Sequence, residues 1–221
     1  LVARIAEDLL LLLLDNASAQ PGLDRAKRKR LLAAAVLLDL AYACRVRPAL
    51  PQEPVPPGRL VALAGPPPLD PAVRPALALL EQGPLTPKAA IAALRKRAED
   101  DVLDQLLRTG QLHQVELSTG RLRRRREYAW PINNRARAEG VRAAVMAALF
   151  DRHRPDPPTA TVIALLASVN GLGAAFSLNE RGWRWVHDRA NEIASGCWVD
   201  EADLADVNLA VTTAAVRAAL G

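Results

Sequence analysis

Basic side chains are the residues of this 221-residue chain whose spacing suggests chemistry. They are concentrated in three clusters: Arg25–Arg30, the stretch "LRKR" at residues 94–97, and the stretch "GRLRRRRE" at residues 120–127. The chain has a formal net charge of +5 and a pI of about 9.8. Concentrated positive charge indicates an anionic partner, which is nucleic acid, acidic lipid or an acidic protein. A solvated face of an arginine-rich protein is the alternative, and it explains one cluster more easily than three.

Patterns for catalysis or metal binding are not found in the sequence. The histidines and cysteines are isolated from one another and from carboxylates at ligand spacing; they are His113, His153, His187, Cys44 and Cys197. The Gly-x-Gly of "NGLGAAF" at residues 170–176 lies within an apolar run, whereas a dinucleotide fingerprint follows a strand. We therefore expect a protein that is not an enzyme and that holds no cofactor and no metal ion.

The chain contains two apolar runs, Leu9–Leu14 and Leu31–Leu38, which either cross a membrane or are buried in the fold. A membrane-spanning helix needs about 20 consecutive apolar residues, and Asp39 ends the second run after eight. We interpret both runs as buried helices of a soluble, cytosolic protein, packed against an apolar helix from Thr161 to Phe176. In this interpretation the basic cluster Arg25–Arg30 lies at the exposed end of the second helix.

The composition favours a mostly α-helical fold. Ala and Leu, which lead the helix propensity scale, dominate the sequence, and only 4% of the residues are aromatic. Helical periodicity recurs along the chain, except in a proline-rich segment at residues 47–71 that contains one candidate strand, "RLVALA". We predict a single helical domain over residues 1–221.

A β-hairpin is a second exception to the helical pattern. The alternating stretch "QLHQVEL" and the stretch "LRRRREYAW" flank a turn containing Gly120, which predicts a hairpin at about residues 111–130. Its second half carries arginines on both faces, so we expect it to project from the helical body; these arginines are Arg121, Arg123, Arg124, Arg125 and Arg126. One interpretation is the wing of a winged-helix DNA-binding regulator at residues 72–130, which contacts phosphates.

The order of the segments across nearly the whole chain supports another interpretation. "VARIAEDLLLLLLDN", "LLAAAVLLDLAYACRV", "VLDQLLRTGQL", a hairpin ending in "YAWP", and "RPDPPTATVIALLASVNGLGAAF" follow one another. In this order and spacing the chain resembles the bacterial branch of the Golgi phosphoprotein 3 family. The resemblance implies a mostly helical, non-enzymatic protein that binds membranes peripherally. Eukaryotic relatives recognise phosphatidylinositol 4-phosphate and hold glycosyltransferases through their cytosolic tails, and their hairpin takes part in self-association.

The headgroup site of the family is only partly matched here. The family's tryptophan position falls at Asp24 and its arginine position at Ala33, while two basic positions fall at Lys96 and Glu99. Only Lys96 keeps the expected charge, so the sequence supports a looser attraction to acidic lipid more firmly than specific recognition of phosphatidylinositol 4-phosphate. The candidate headgroup-binding residues are the basic side chains nearest to these positions: Arg28, Lys29, Arg30, Lys96 and Arg97.

Together these observations predict a cytoplasmic protein, peripheral to the inner face of the membrane, whose partner is anionic lipid. A protein client and a homo-oligomer formed through the hairpin are further expected partners, and nucleic acid is the alternative. A protein–protein adaptor without a lipid role is a third hypothesis. The sequence does not identify the lipid, the client or the pathway.

Overall fold

The computed structural model describes residues 4–117, 127–176 and 180–221, with the side chains of residues 180 and 181 excepted. The described chain is mostly α-helical, which confirms the predicted fold class. Its elements are α1 Ile5–Leu14, α2 Arg25–Tyr42, β1 Val46–Pro48, β2 Leu60–Ala62, a 3-10 turn Pro71–Val73, α3 Arg74–Glu81, α4 Pro87–Leu94, α5 Ala98–Arg108, β3 Val115–Leu117, β4 Glu127–Ala129, α6 Arg135–Phe150, α7 Pro157–Ser168, α8 Leu172–Ala175, α9 Glu180–Ala194 and α10 Leu204–Ala218.

Helices α1 and α2 lie at the centre of the hydrophobic core. Every side chain of Leu9–Leu14 and of Leu31–Leu38 is buried. A helix that is apolar all round is stable only where neighbours cover every face. Both helices pack against each other and against α7, as predicted. The carboxyl group of Asp39 on α2 accepts hydrogen bonds from the backbone N–H groups of Ile5, at 2.7 Å, and Ala6, at 3.1 Å, so a buried acid of α2 caps the start of α1.

The apolar helix expected from Thr161 to Phe176 is interrupted, which corrects the prediction. Helix α7 ends at Ser168, and Asn170 adopts a left-handed backbone with φ of 52°. The N–H of Gly171 then donates to the carbonyl of Leu166 at 2.7 Å, a bond that closes a helix C-terminus. The short helix α8 follows. The sequence signal for this break is Asn170 followed by Gly171 within the otherwise apolar stretch, since Asn tolerates the left-handed conformation better than most residues.

Two small antiparallel sheets complete the described part of the fold. The predicted strand in "RLVALA" is present as β2, and it pairs with β1, which the sequence did not predict. Strands β3 and β4 form the base of the predicted hairpin, with Val115 opposite Ala129. The N–H of Trp130 donates to the carbonyl of Ala19 at 2.7 Å, which ties this base to the α1–α2 link. The predicted hairpin arginines, Arg121 and Arg123–Arg126, lie outside the described residues.

Helices α3 to α5 share the central core. Helix α5 packs on both α1 and α2, and α4 packs on α2 and α10. Their buried side chains, such as Ile91 and Val102, belong to the same hydrophobic cluster as the leucines of α1. The winged-helix interpretation requires residues 72–130 to form a compact unit of their own. The described part of this segment does not meet that requirement.

Candidate functional site

The basic cluster at residues 25–30 occupies the first turns of α2. Asp24 is the N-cap of this helix, and its carboxylate accepts hydrogen bonds from the backbone N–H groups of Ala26, at 3.0 Å, and Lys27, at 3.1 Å. The backbone hydrogen bond from Lys27 lowers the pKa of Asp24 below its usual value, and the bond from Ala26 adds a smaller effect in the same direction. The N-cap thus fixes where α2 begins, and the basic side chains project from the turn that follows.

Arg28 does not face solvent as the sequence suggested. Its Nε donates to Oε1 of Glu99 at 2.6 Å, and its Nη1 donates to the carbonyl of Leu23 at 2.7 Å. The side chains of Arg28 and Glu99 are only 12% and 7% exposed. The pair joins the first turn of α2 to the first turn of α5, and the carboxylate neutralises one of the predicted headgroup-binding cations.

Two more of the predicted cations are engaged. Nη2 of Arg30 donates to the carbonyl of Leu220 at 2.7 Å and to that of Ala219 at 3.3 Å, so Arg30 caps the C-terminal end of α10. Arg97 forms an exposed pair with Asp101 one turn later, with 2.8 Å between Nε and Oδ2, and this hydrogen bond raises the pKa of Arg97. These contacts reduce the positive charge that an external anion meets.

Of the five predicted headgroup-binding residues, all of which are described, Lys29 and Lys96 remain available. Within the described part of the chain, neither side chain has a hydrogen bond or an ion pair. Lys96 is exposed and Lys29 is half-buried. Four other cations in this part of the chain also have no side-chain hydrogen bond or ion pair. They are Arg25 and Lys27 on α2, Lys88 on α4, and Arg95 just after α4. The Arg28–Glu99 contact brings the two sequence clusters to one region of the surface.

Lys88 is a residue that sequence reasoning missed, because it is isolated among apolar neighbours. The signal is its spacing from Arg95: Lys88, Ile91, Ala92 and Arg95 follow the i, i+3, i+4, i+7 rhythm of one helix face. This face forms one wall of an open cleft of about 410 Å³, and the last residue of α10 and the residues after it form the other wall together with Arg30. We call it the α4–α10 cleft. It combines an apolar floor with a cationic rim and suits an anionic group.

The positions matched to the family's headgroup site do not form a cationic pocket. Asp24 caps α2, Ala33 is fully buried in the core, and Glu99 is taken up by Arg28. Only Lys96 presents a positive charge to solvent. The chemistry available around α2 and α5 is therefore attraction by separate surface cations.

Asp39 is a buried acid, and its role as the cap of α1 accounts for its position. Burial raises the pKa of its carboxyl group to about 8, against the opposing effect of the two N–H groups that it caps. It borders a small apolar pocket of about 180 Å³ with Arg45 and the proline-rich segment 66–68. Among the described residues no group of His, Cys, Asp or Glu is arranged to hold a metal ion.

The fold and the site define a class: a mostly helical protein with a cationic surface where α2 and α5 begin. Within the described residues, no helix has the length and apolar character needed to cross a membrane. The family model of Golgi phosphoprotein 3 (GPP34) matches residues 5–210, and the chain belongs to this family. The resemblance noted in the sequence is thereby confirmed. The comparison with curated proteins gives no match.

Proposed function

We propose that the protein is a non-enzymatic, peripheral membrane-binding protein that recognises anionic phospholipid headgroups at the cytoplasmic face of a membrane. The observation that carries the proposal is the group of surface cations around the Arg28–Glu99 pair. Within the described residues the side chains of Lys27, Lys29 and Lys96 have no ion partner. Membership of the Golgi phosphoprotein 3 family is compatible with lipid binding.

The proposal concerns charge attraction rather than a shaped headgroup pocket. A basic residue close to an anionic bilayer contributes about 1 kcal/mol to binding, and the effect is confined to the Debye length. Three such lysines contribute about 3 kcal/mol, which is roughly a 100-fold effect on affinity. Glu99 and Ala33 stand where the resemblance places cations of the family's headgroup site. We therefore expect phosphatidylinositol 4-phosphate to bind only as tightly as its negative charge accounts for, without specific recognition of its headgroup.

The test is cosedimentation of the protein with vesicles of phosphatidylcholine alone, or mixed with phosphatidylglycerol or phosphatidylinositol 4-phosphate. We expect binding to both anionic mixtures and none to phosphatidylcholine alone. Changing Lys27, Lys29 and Lys96 to Ser should weaken binding roughly 100-fold. Arg28 and Arg30 are unsuitable for this test, because their replacement removes contacts to Glu99 and Leu220 as well as charge.

A charge-matched control changes three exposed arginines elsewhere, Arg4, Arg152 and Arg184, to Ser. It lowers the net charge equally but leaves the proposed surface intact, so its binding should stay close to that of the unchanged protein. Equal losses in both variants would mean that only overall charge matters. Tight binding to duplex DNA at matched salt, without vesicle binding, would favour the DNA-binding alternative.

A further inference from the structure

The outward face of α10 is apolar along its whole length. Leu204 is 74% exposed and Val211 is 54% exposed, so two large apolar side chains of one helix face solvent. Val207 is half-buried, and Ala214 and Ala218 are exposed. These five residues form what we call the α10 stripe. The opposite face, which includes Leu209 and Val216, is buried in the core. No described element covers Leu204 or Val211, whereas Ala218 also lines the α4–α10 cleft.

The spacing of the α10 stripe is that of a two-helix seam. Its positions are separated by three, four, three and four residues, the alternation that keeps apolar side chains facing a second helix. On a helix with 3.6 residues per turn they fall within an arc of about 80°. No charged residue interrupts the stripe.

The order of side-chain sizes indicates the direction of pairing. The large residues Leu204 and Val207 occupy the N-terminal half of the stripe, and the small residues Ala214 and Ala218 occupy the C-terminal half. A parallel pair would set the small residues against each other and leave a gap between the helices. An antiparallel pair with Val211 on the two-fold axis places Leu204 opposite Ala218, so that large side chains fill the space left by small ones.

We propose that the α10 stripe is the interface of an antiparallel, two-fold homodimer. A two-fold interface requires a surface that is complementary to itself. The α10 stripe meets this requirement because its large side chains lie at one end and its small side chains at the other. The proposal does not depend on lipid binding.

Charge complementarity supports a second copy as the occupant. Glu201 and Asp203, just before α10, are exposed, whereas Lys88 and Arg95 border the α4–α10 cleft at the opposite end of the helix, beside Ala218 and Ala219. In the antiparallel register the acidic end of each α10 meets the basic cleft of the partner copy, twice per dimer. The same acidic residues would repel an anionic bilayer lying along the stripe, which disfavours the membrane as occupant.

The first test is sedimentation velocity of the full chain over a range of concentrations. We expect a concentration-dependent monomer–dimer equilibrium, which Val211→Glu abolishes by placing two carboxylates at the two-fold axis. The matched control is Met146→Glu, which adds the same charge at another exposed apolar residue, 43% exposed on α6, and should leave the dimer intact. A chain that is monomeric throughout, or a dimer that survives Val211→Glu, would overturn the proposal.

The second test determines the direction of pairing by disulfide cross-linking. Cys44 and Cys197 are first changed to Ser, since both thiols are free. The variant Val211→Cys should cross-link to itself, and Leu204→Cys should cross-link with Ala218→Cys when the two variants are mixed. Efficient cross-linking of Leu204→Cys to itself would show a parallel pair and contradict the proposed register. Unchanged thermal unfolding of each variant establishes that the fold is retained.

Discussion

Nε of Arg28 lies 2.6 Å from Oε1 of Glu99, and this contact joins two helices whose first turns are far apart in sequence. The two side chains are almost fully enclosed. The pair converts a residue that looks like a ligand-binding cation into a structural one. The family resemblance predicted a basic residue at position 99, and the acid that stands there instead pairs with a buried arginine.

We predict that Glu99→Gln and Arg28→Gln each lower the free energy of unfolding by about 3–5 kcal/mol, because each leaves a charged partner buried without its counter-charge. The double variant should lose much less than the sum of the two single variants, since no uncompensated charge remains. Urea unfolding of the four proteins measures this coupling. Additive losses would show that the two side chains contribute independently.

Asp39 should make stability depend on pH. Because its pKa is raised to about 8 in the folded protein, the folded state binds this proton more tightly than the unfolded chain does. The resulting stabilisation is complete below the unfolded pKa, near 4, and is lost as pH rises through about 8. We therefore expect the free energy of unfolding to fall between about pH 5 and pH 8, by up to about 1.4 kcal/mol per pH unit from this group.

The variant Asp39→Asn isolates this effect. It loses an acceptor for an N–H of α1 and should be less stable by about 1–3 kcal/mol at low pH, but its decline toward pH 8 should be shallower. Asp8, whose pKa is also raised by burial, is unchanged in the variant and contributes equally to both proteins. Unfolding by urea at a series of pH values gives the two slopes. Identical slopes would show that Asp39 does not titrate in this range.

The leucines of α2 should contribute to stability and not to lipid binding. Leu37 is fully buried among the central helices, so Leu37→Ala should cost about 2–5 kcal/mol through lost burial and the cavity left behind. Its binding to anionic vesicles should be unchanged at a temperature where the variant is folded. Reduced binding by the folded variant would indicate that the apolar run itself contacts the bilayer.

The sequence was sufficient to predict the central helices and insufficient to predict the site. Leu9–Leu14 and Leu31–Leu38 could be recognised because burial of a long apolar run follows from local composition alone. Whether a charged side chain is already bonded within the protein depends on partners that are distant in sequence. Glu99 is 71 positions from Arg28 and Leu220 is 190 positions from Arg30, so the cluster at residues 25–30 did not reveal which cations were already bonded.

Binding to anionic vesicles should weaken steeply as salt increases. The Debye length falls from about 10 Å at 0.1 M to about 3 Å at 1 M, so exposed lysines lose most of their attraction to a charged bilayer over this range. The buried Arg28–Glu99 pair is screened much less, and thermal unfolding followed across the same salt series should show that the fold persists while binding is lost. The variant with Lys27, Lys29 and Lys96 changed to Ser should show a shallower salt dependence than the unchanged protein, because fewer charges contact the surface. Vesicle binding that is unaffected by salt would mean that apolar contacts carry the interaction, and would contradict the proposed role of the basic surface.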